Sequence, residues 1–182
     1  MKSNDASPSL DFTSPEAVAR YVEAHFGTDK AFGIGYVNAE TQERISLEQG
    51  TEMYQALREK CPDLISVFPD GSSATICTNY ALHIRARLPQ QTHIVGFQNS
   101  QNPTSRCARE EFHPEGHDFA ILAGRYLVDP WVRLVSMTSE RIFYDLSNPE
   151  DAAEVLDIYG PQSCWKELYG PQSPPIRSVD IG

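Results

Sequence analysis

The chain has 182 residues, of which 40% are hydrophobic and 22% are charged, enough apolar material for the core of one domain. Its 15 basic and 25 acidic residues give a formal net charge of −10. Nucleic acids and anionic membranes attract clustered Lys and Arg, so this balance argues against both as main partners. No apolar run approaches the roughly 20 residues of a membrane span. We expect a protein of the cytoplasm, or one secreted by a route that needs no signal peptide.

The part of the chain before residue 72 is predicted to contain two helices and a short strand. Ser14-Pro15-Glu16 is typical of a helix start, because the serine caps free N–H groups and proline suits the first turn. Apolar residues then recur at helical spacing until Gly27, which ends the helix. The other elements predicted here are a disordered leader at 1–12, a strand at 31–37 and a helix at 51–60.

The part after residue 72 is predicted to mix helices with strands. Its elements are a helix from Ser73 or Thr75 to Leu88, a strand at 92–97, a polar loop at 99–115, a hairpin at 116–131 that continues towards Val135, a strand at 141–146, a helix at 149–159 and a tail of surface coil at 161–182. The last helix should bury four apolar residues, namely Ala152, Val155, Leu156 and Tyr159. These elements predict a single α+β domain at 13–160, with N-terminal helices packed on an antiparallel β-sheet.

Three residues in this part have the chemistry of a nucleophilic site. Cys77 lies near a helix start, His117 begins the hairpin and Asp129 ends it. A helix N-terminus and a nearby imidazolium both favour the thiolate, which is the nucleophilic form of cysteine. Backbone N–H groups around Cys77 are candidates for stabilising an oxyanion. The order predicts acyl transfer with Cys77 as nucleophile, His117 as general acid and base, and Asp129 as the orienting group.

The turn of the hairpin decides whether the last two of these residues meet. A three-residue loop at 122–124, with Gly124 in the left-handed region, would pair His117 directly with Asp129. Directly opposed residues share a face of the sheet, so the carboxylate would reach the imidazole. A two-residue loop at 123–124 would place the two side chains on opposite faces. The site therefore depends on the position of Gly124.

The segment from Ser72 to Trp131 resembles the papain-like superfamily in its broad sense. The residues that carry the likeness are Cys77 and Ala81 in a helix, His117 at a strand start, and Asp129 followed by Pro130 and Trp131. The Val-Asp-Pro-Trp ending resembles transglutaminase-like domains, and the short Cys-to-His distance is similar to that of glutamine deamidases among bacterial toxins and effectors. The resemblance implies a papain-like core, a Cys-His-Asp triad and no cofactor.

Other residues offer weaker candidate roles. His113 and His117 are four residues apart, and Cys107, Glu110 or Glu111 could complete a zinc site, but Pro114 and Gly116 oppose the helix that such a site needs. His113 is therefore expected in a loop close to the site. Gln98 at a strand end and Trp131 are weak candidates for binding the oxyanion or the substrate. The four cysteines include no C-x-x-C pair, so the usual zinc and redox spacings are absent. Without a secretory signal reduced thiols are expected, and two disulfides are the alternative if the protein is exported.

The predicted function is hydrolysis of an amide in a protein or peptide substrate by a cysteine enzyme. Deamidation of a glutamine side chain is the preferred reaction, which suits an effector or toxin with a host-protein target. A thiol protease and a transglutaminase-like acyltransferase are the alternatives on the same site. The alternative of another class is a non-catalytic interaction module on the same fold, with Cys77 buried in the core.

Overall fold

The computed structural model describes residues 10–27, 36–37, 44–45, 76–110, 116–134, 136 and 138–172. The helix predicted at 51–60 and His113 lie outside the described residues, as does most of the leader. The strand predicted at 31–37 is described only at its end, Tyr36–Val37, which pairs with Arg44–Ile45 as a two-stranded antiparallel sheet.

The described chain is an α+β fold around a five-stranded antiparallel sheet, as the sequence predicts in outline. The helices are α1 at Pro15–Phe26, α2 at Ile76–Arg87, α3 at Arg106–Arg109, α4 at Trp131–Leu134 and α5 at Pro149–Tyr159. The strands are β1 at Tyr36–Val37, β2 at Arg44–Ile45, β3 at Thr92–Gln98, β4 at Gly116–Leu122, β5 at Tyr126–Val128, β6 at Phe143–Asp145 and β7 at Lys166–Tyr169. The sheet has the order β6-β5-β4-β3-β7.

The two long terminal helices begin as the sequence predicts. The Ser14 side chain accepts a hydrogen bond from the N–H of Ala17 at 3.2 Å, and α5 is capped in the same way by Asn148. Helix α5 buries Val155, Ile158 and Tyr159. The predicted burial of Leu156 is wrong, because this side chain is 56% exposed. It lies one residue after Val155 and so points about 100° around the helix from that buried side chain.

Helices cover both faces of the sheet. His117 and Phe119 point to one face of β4, and Asp118 between them points to the other. The ring of Phe119 lies 4.9 Å from that of Tyr159 in α5, whereas the Thr78 hydroxyl of α2 donates to Asp118 at 2.5 Å. Helix α5 therefore packs on the face that carries His117, and α2 begins beside the first residues of β4.

Three predicted segments differ from the structure. The polar loop at 99–115 contains a helical turn at Asn99–Gln101 and helix α3. The hairpin does not continue towards Val135, because β5 ends at Val128 and α4 follows. Pro130 has no N–H for a sheet ladder. The predicted coil at 161–182 includes β7, which adds an edge strand to β3.

The hairpin has a loop of three residues, but at 123–125 and not at 122–124. Leu122 pairs with Tyr126, and the same register places Phe119 opposite Asp129. The predicted direct pairing of His117 with Asp129 is therefore wrong by two residues. A shift of two keeps side chains on the same face, so His117 and Asp129 become diagonal neighbours there.

Arg125 is the residue that keeps His117 and Asp129 on the same face of the sheet. Ala123 and Gly124 have φ of +50° and +67°, and the N–H of Arg125 donates to the carbonyl of Leu122 at 3.0 Å. Without Arg125, the loop would be one residue shorter and the strand register would shift by one. His117 and Asp129 would then lie on opposite faces of the sheet. The Arg125 guanidinium is held in place by two hydrogen bonds to Asp145, at 2.8 and 2.6 Å.

The turn leads to a prediction about stability. Ala123→Asn should raise the free energy of unfolding by about 0.5–1 kcal/mol, because asparagine tolerates the left-handed region better than alanine and Asn-Gly is favoured in such turns. Gly124→Ala should lower it by roughly 1 kcal/mol through backbone strain alone, since nothing lies within 4 Å of an added Cβ. Urea unfolding of the two variants checks both signs, and a loss of stability in Ala123→Asn would contradict the account.

Candidate active site

The structure brings His117 and Asp129 together in the interior. The Nε2 atom of His117 lies 2.5 Å from Oδ2 of Asp129, and the two side chains are 0% and 1% exposed. The histidine is the second residue of β4, at the end of the strand far from the hairpin turn, and the aspartate directly follows β5. A buried pair at this distance is a charge-assisted hydrogen bond, which fixes the tautomer and the plane of the imidazole.

Two further donors hold the Asp129 carboxylate. The backbone N–H of Trp131 donates to Oδ1 at 3.1 Å, and the Tyr159 hydroxyl donates to Oδ2 at 3.0 Å. With the His117 contact, both carboxylate oxygens are engaged by groups from β4, the start of α4 and the end of α5. Such a carboxylate cannot rotate without breaking several bonds, so it is a rigid support for the imidazole.

Cys77 lies on the other side of the imidazole. It is the second residue of α2, it is 1% exposed, and it lies close enough to His117 to raise the pKa of the ring. Because Nε2 binds Asp129, the nitrogen available to the thiol is Nδ1. Among the described residues, this buried Nδ1 has no hydrogen-bond partner of standard geometry. The Cys77 thiol is therefore a neighbour of the ring that Asp129 holds.

Opposing effects set the protonation of His117. Burial disfavours the charged ring and lowers its pKa, but the Asp129 carboxylate acts in the other direction through its charge and its hydrogen bond. The carboxylate is fully buried beside the ring, so its attraction is weakly screened, and the pKa of His117 lies well above its usual value. The raised pKa favours the imidazolium form of the ring, next to the Cys77 thiol.

A second buried thiol lies in the same cluster. Cys107 belongs to α3, is fully buried and interacts electrostatically with His117, Asp129 and Cys77. Burial raises the pKa of the Cys107 thiol to about 12. Cys107 is therefore protonated at neutral pH and is a poor nucleophile, since the thiolate is the reactive form. The sequence singled it out only as a candidate zinc ligand.

Aromatic rings surround the imidazole. The ring centroids of Trp131, Phe119 and Tyr159 lie 4.8, 6.0 and 6.0 Å from that of His117. Trp131, a weak candidate from the sequence, thus packs directly on the site. Gln98 is exposed at the end of β3, where its Cα is paired with that of Gly116, and His113 lies outside the described residues.

The sequence did not indicate a site role for Tyr159, which was predicted only as a core residue of the last helix. Its amphipathic spacing predicts burial, but no local pattern indicates that its hydroxyl meets Asp129, 30 residues earlier. The residue that follows is Gly160, with φ of +70°, and such a glycine is common at helix ends whatever their role. Only the packing of α5 on the sheet brings these groups together.

No family model, curated protein or solved structure matches this chain. Within the described ranges, no three His, Cys, Asp or Glu side chains are grouped so that they could hold a metal ion. In the same part of the chain, no helix is both long and apolar enough to cross a bilayer.

Proposed function

We propose that the protein is a cysteine hydrolase that cleaves an amide in a protein substrate, with a papain-like arrangement of Cys77, His117 and Asp129. The observation that carries the proposal is the buried His117–Asp129 hydrogen bond of 2.5 Å, with the Cys77 thiol on the other side of the same ring. An imidazolium that is fixed by a carboxylate and faces a thiol at a helix start favours the thiolate.

The chemistry follows from these positions. The Cys77 thiolate attacks the amide carbon, and the C–O π electrons move to the oxygen of a tetrahedral intermediate. His117 gives its Nδ1 proton to the leaving nitrogen, the C–N bond breaks, and an acyl-thioester remains. Water then attacks the thioester, the imidazole accepts its proton, and the acid and the thiolate are released. Asp129 keeps the ring oriented throughout.

The enclosure of the site supports glutamine deamidation over proteolysis. Cys77 and His117 are each 1% exposed, so a slender reacting group suits the site better than a broad one. A glutamine side chain presents its amide at the end of a slender stem, and its leaving group is ammonia. A peptide bond carries chain on both sides and needs a long open cleft. A peptidase and a transglutaminase-like acyltransferase remain the alternatives on the same residues.

Mass spectrometry of candidate protein substrates tests the reaction. Hydrolysis of a glutamine amide adds about 1 Da, proteolysis gives fragments, and acyl transfer adds the mass of an amine. Wild type is compared with Cys77→Ala and with Cys107→Ala, which removes the neighbouring thiol. Modification by wild type and Cys107→Ala but not by Cys77→Ala supports the proposal. Equal modification by all three proteins would refute it.

The burial of Cys77 favours a second candidate function, a non-catalytic interaction module. Cysteine is one of the most frequently buried residues, and a His–Asp pair can serve stability alone. In that case Cys77 is an inert core thiol. The half-buried Cys164 provides an internal reference, because its sulfur lies outside this cluster.

The pH dependence of thiol labelling distinguishes the two functions. We expect labelling of Cys77 by iodoacetamide to persist at about pH 6 and to be faster there than labelling of Cys164, because the imidazolium of His117 stabilises the Cys77 thiolate. His117→Ala should remove the difference. Peptide mapping gives the rate for each cysteine. If Cys77 is labelled more slowly than Cys164 at every pH, the module is the correct assignment.

A further inference from the structure

We propose that Tyr159 is a positioning residue of this site: its hydroxyl fixes the Asp129 carboxylate and, through it, the His117 imidazole. The inference rests on the proposed function, which it extends by a fourth side chain. Tyr159 does not touch the reacting atoms. Its action is exerted on Oδ2 of Asp129, the oxygen that also binds Nε2 of His117.

The first argument is the sharing of one oxygen by two donors. The Tyr159 hydroxyl donates to Oδ2 of Asp129 at 3.0 Å, and His117 binds the same atom at 2.5 Å. A carboxylate oxygen has two in-plane lone pairs. Two donors therefore fix the orientation of the carboxylate, which a single donor would leave free to rotate. The Tyr159 ring also lies nearly parallel to the imidazole, at an interplanar angle of 23°.

The second argument is that the backbone of Tyr159 is itself held firmly. Its carbonyl accepts a hydrogen bond from Nδ2 of Asn102 at 2.7 Å and another from Nε1 of Trp165 at 3.0 Å. At Gly160 an added Cβ would lie 2.1 Å from the Asn102 amide oxygen, so the close approach requires glycine. Two separate parts of the chain, at Asn102 and at Trp165, thus fix the end of α5 at the residue whose hydroxyl meets Asp129.

The third argument is that the phenol is confined to the role of a donor. Burial, followed by the charge of Asp129, raises the pKa of Tyr159 well above its usual value. The hydroxyl therefore keeps its proton over the whole working range and cannot serve as a general acid. Hydrogen bonds to a buried ionised group are among the strongest in proteins, so this one is suited to holding the carboxylate.

Tyr159→Phe tests the proposal, because it removes one oxygen atom and leaves the ring in place. We expect kcat to fall about tenfold with KM unchanged, the effect of one hydrogen bond to a charged group. We also expect the pH midpoint of the His117 ring signals in NMR to rise, since a carboxylate with one donor fewer attracts the imidazolium proton more strongly. A purely structural role would not move that midpoint.

Tyr144→Phe is the matched control. Tyr144 is also fully buried, but its hydroxyl contacts Ser139 and Glu154 and not Asp129. This variant should lose comparable stability while kcat and the His117 midpoint stay at wild-type values. If Tyr159→Phe does not fold, Trp165→Phe removes one donor from the Tyr159 carbonyl and should give a smaller shift of the midpoint in the same direction.

The outcomes separate this inference from the proposed function. If wild type shows no amidase activity but Tyr159→Phe raises the His117 midpoint, the hydroxyl positions the pair and the proposed function fails. If wild type is active and neither kcat nor the midpoint changes in Tyr159→Phe, Tyr159 is a core residue only and the inference is overturned. Equal shifts in Tyr144→Phe and Tyr159→Phe would also overturn it.

Discussion

Cys77→Ala is expected to lower kcat for amide hydrolysis by at least about 10⁴-fold, because no covalent intermediate can form without the thiol. The helix start, the imidazole and the carboxylate remain, so substrate binding should change little. Single-turnover kinetics with a glutamine-containing substrate gives kcat and KM separately. In wild type, the same experiment should trap an acyl-enzyme on Cys77 at low pH.

Cys107→Ala is the matched control for that loss. Cys107 is a second fully buried thiol that interacts with His117 and Asp129, so its removal tests whether any sulfur in the cluster suffices. With the pKa of its thiol raised to about 12, Cys107 should contribute no nucleophile, and the variant should keep kcat within about threefold of wild type. If Cys107→Ala lost most of its activity and Cys77→Ala kept it, Cys107 would be the nucleophile and the assignment to Cys77 would be wrong.

Asp129→Asn should lower kcat by roughly 10³–10⁴-fold with little change in shape. The Trp131 N–H keeps Oδ1 as its acceptor, so the new amide nitrogen takes the place of Oδ2 and faces Nε2 of His117. An N–H group there requires Nε2 to become an acceptor, which moves the ring proton to Nδ1. The neutral ring then carries its proton on Nδ1, the atom that must accept the proton of the Cys77 thiol.

The same substitution makes a prediction about pH. Loss of the Asp129 charge removes a main cause of the raised His117 pKa and leaves the opposing effect of burial, so that pKa should fall. NMR titration of the His117 ring measures the change. Asp151→Asn is the control, because Asp151 is a buried carboxylate that binds Arg141 and the N–H of Asp145, away from the site. An unaltered kcat in Asp129→Asn, at normal stability, would exclude the triad.

The secondary structure was predicted best where the signals are local. Ser14-Pro15 begins α1, Pro149 begins α5 after the cap Asn148, and α5 ends at Tyr159 where its pattern ends. These features depend on neighbouring residues, so the sequence displays them directly. The coil predicted at 161–182 failed because β7 forms only against the exposed edge of β3, which is distant in sequence.

The sequence indicated which residues form the candidate site, but it did not predict how they are arranged. His117 and Asp129 were expected to face each other, and the structure joins them along a diagonal, because Arg125 adds one residue after the turn. Turn chemistry indicated a three-residue loop without fixing which residue began it. The predicted register was wrong by two residues, an even number, so the two residues still share a face of the sheet.

The sequence by itself determined the α+β composition, the helix starts, and the presence of a thiol, an imidazole and a carboxylate on suitable elements. Only the tertiary structure decided that the imidazole and carboxylate are buried together at 2.5 Å, that Cys107 joins the cluster and that Tyr159 supports Asp129. The physical reason is that helix caps and periodicity are local properties of the chain. Burial, pKa shifts and shared hydrogen bonds arise where segments far apart in sequence pack together.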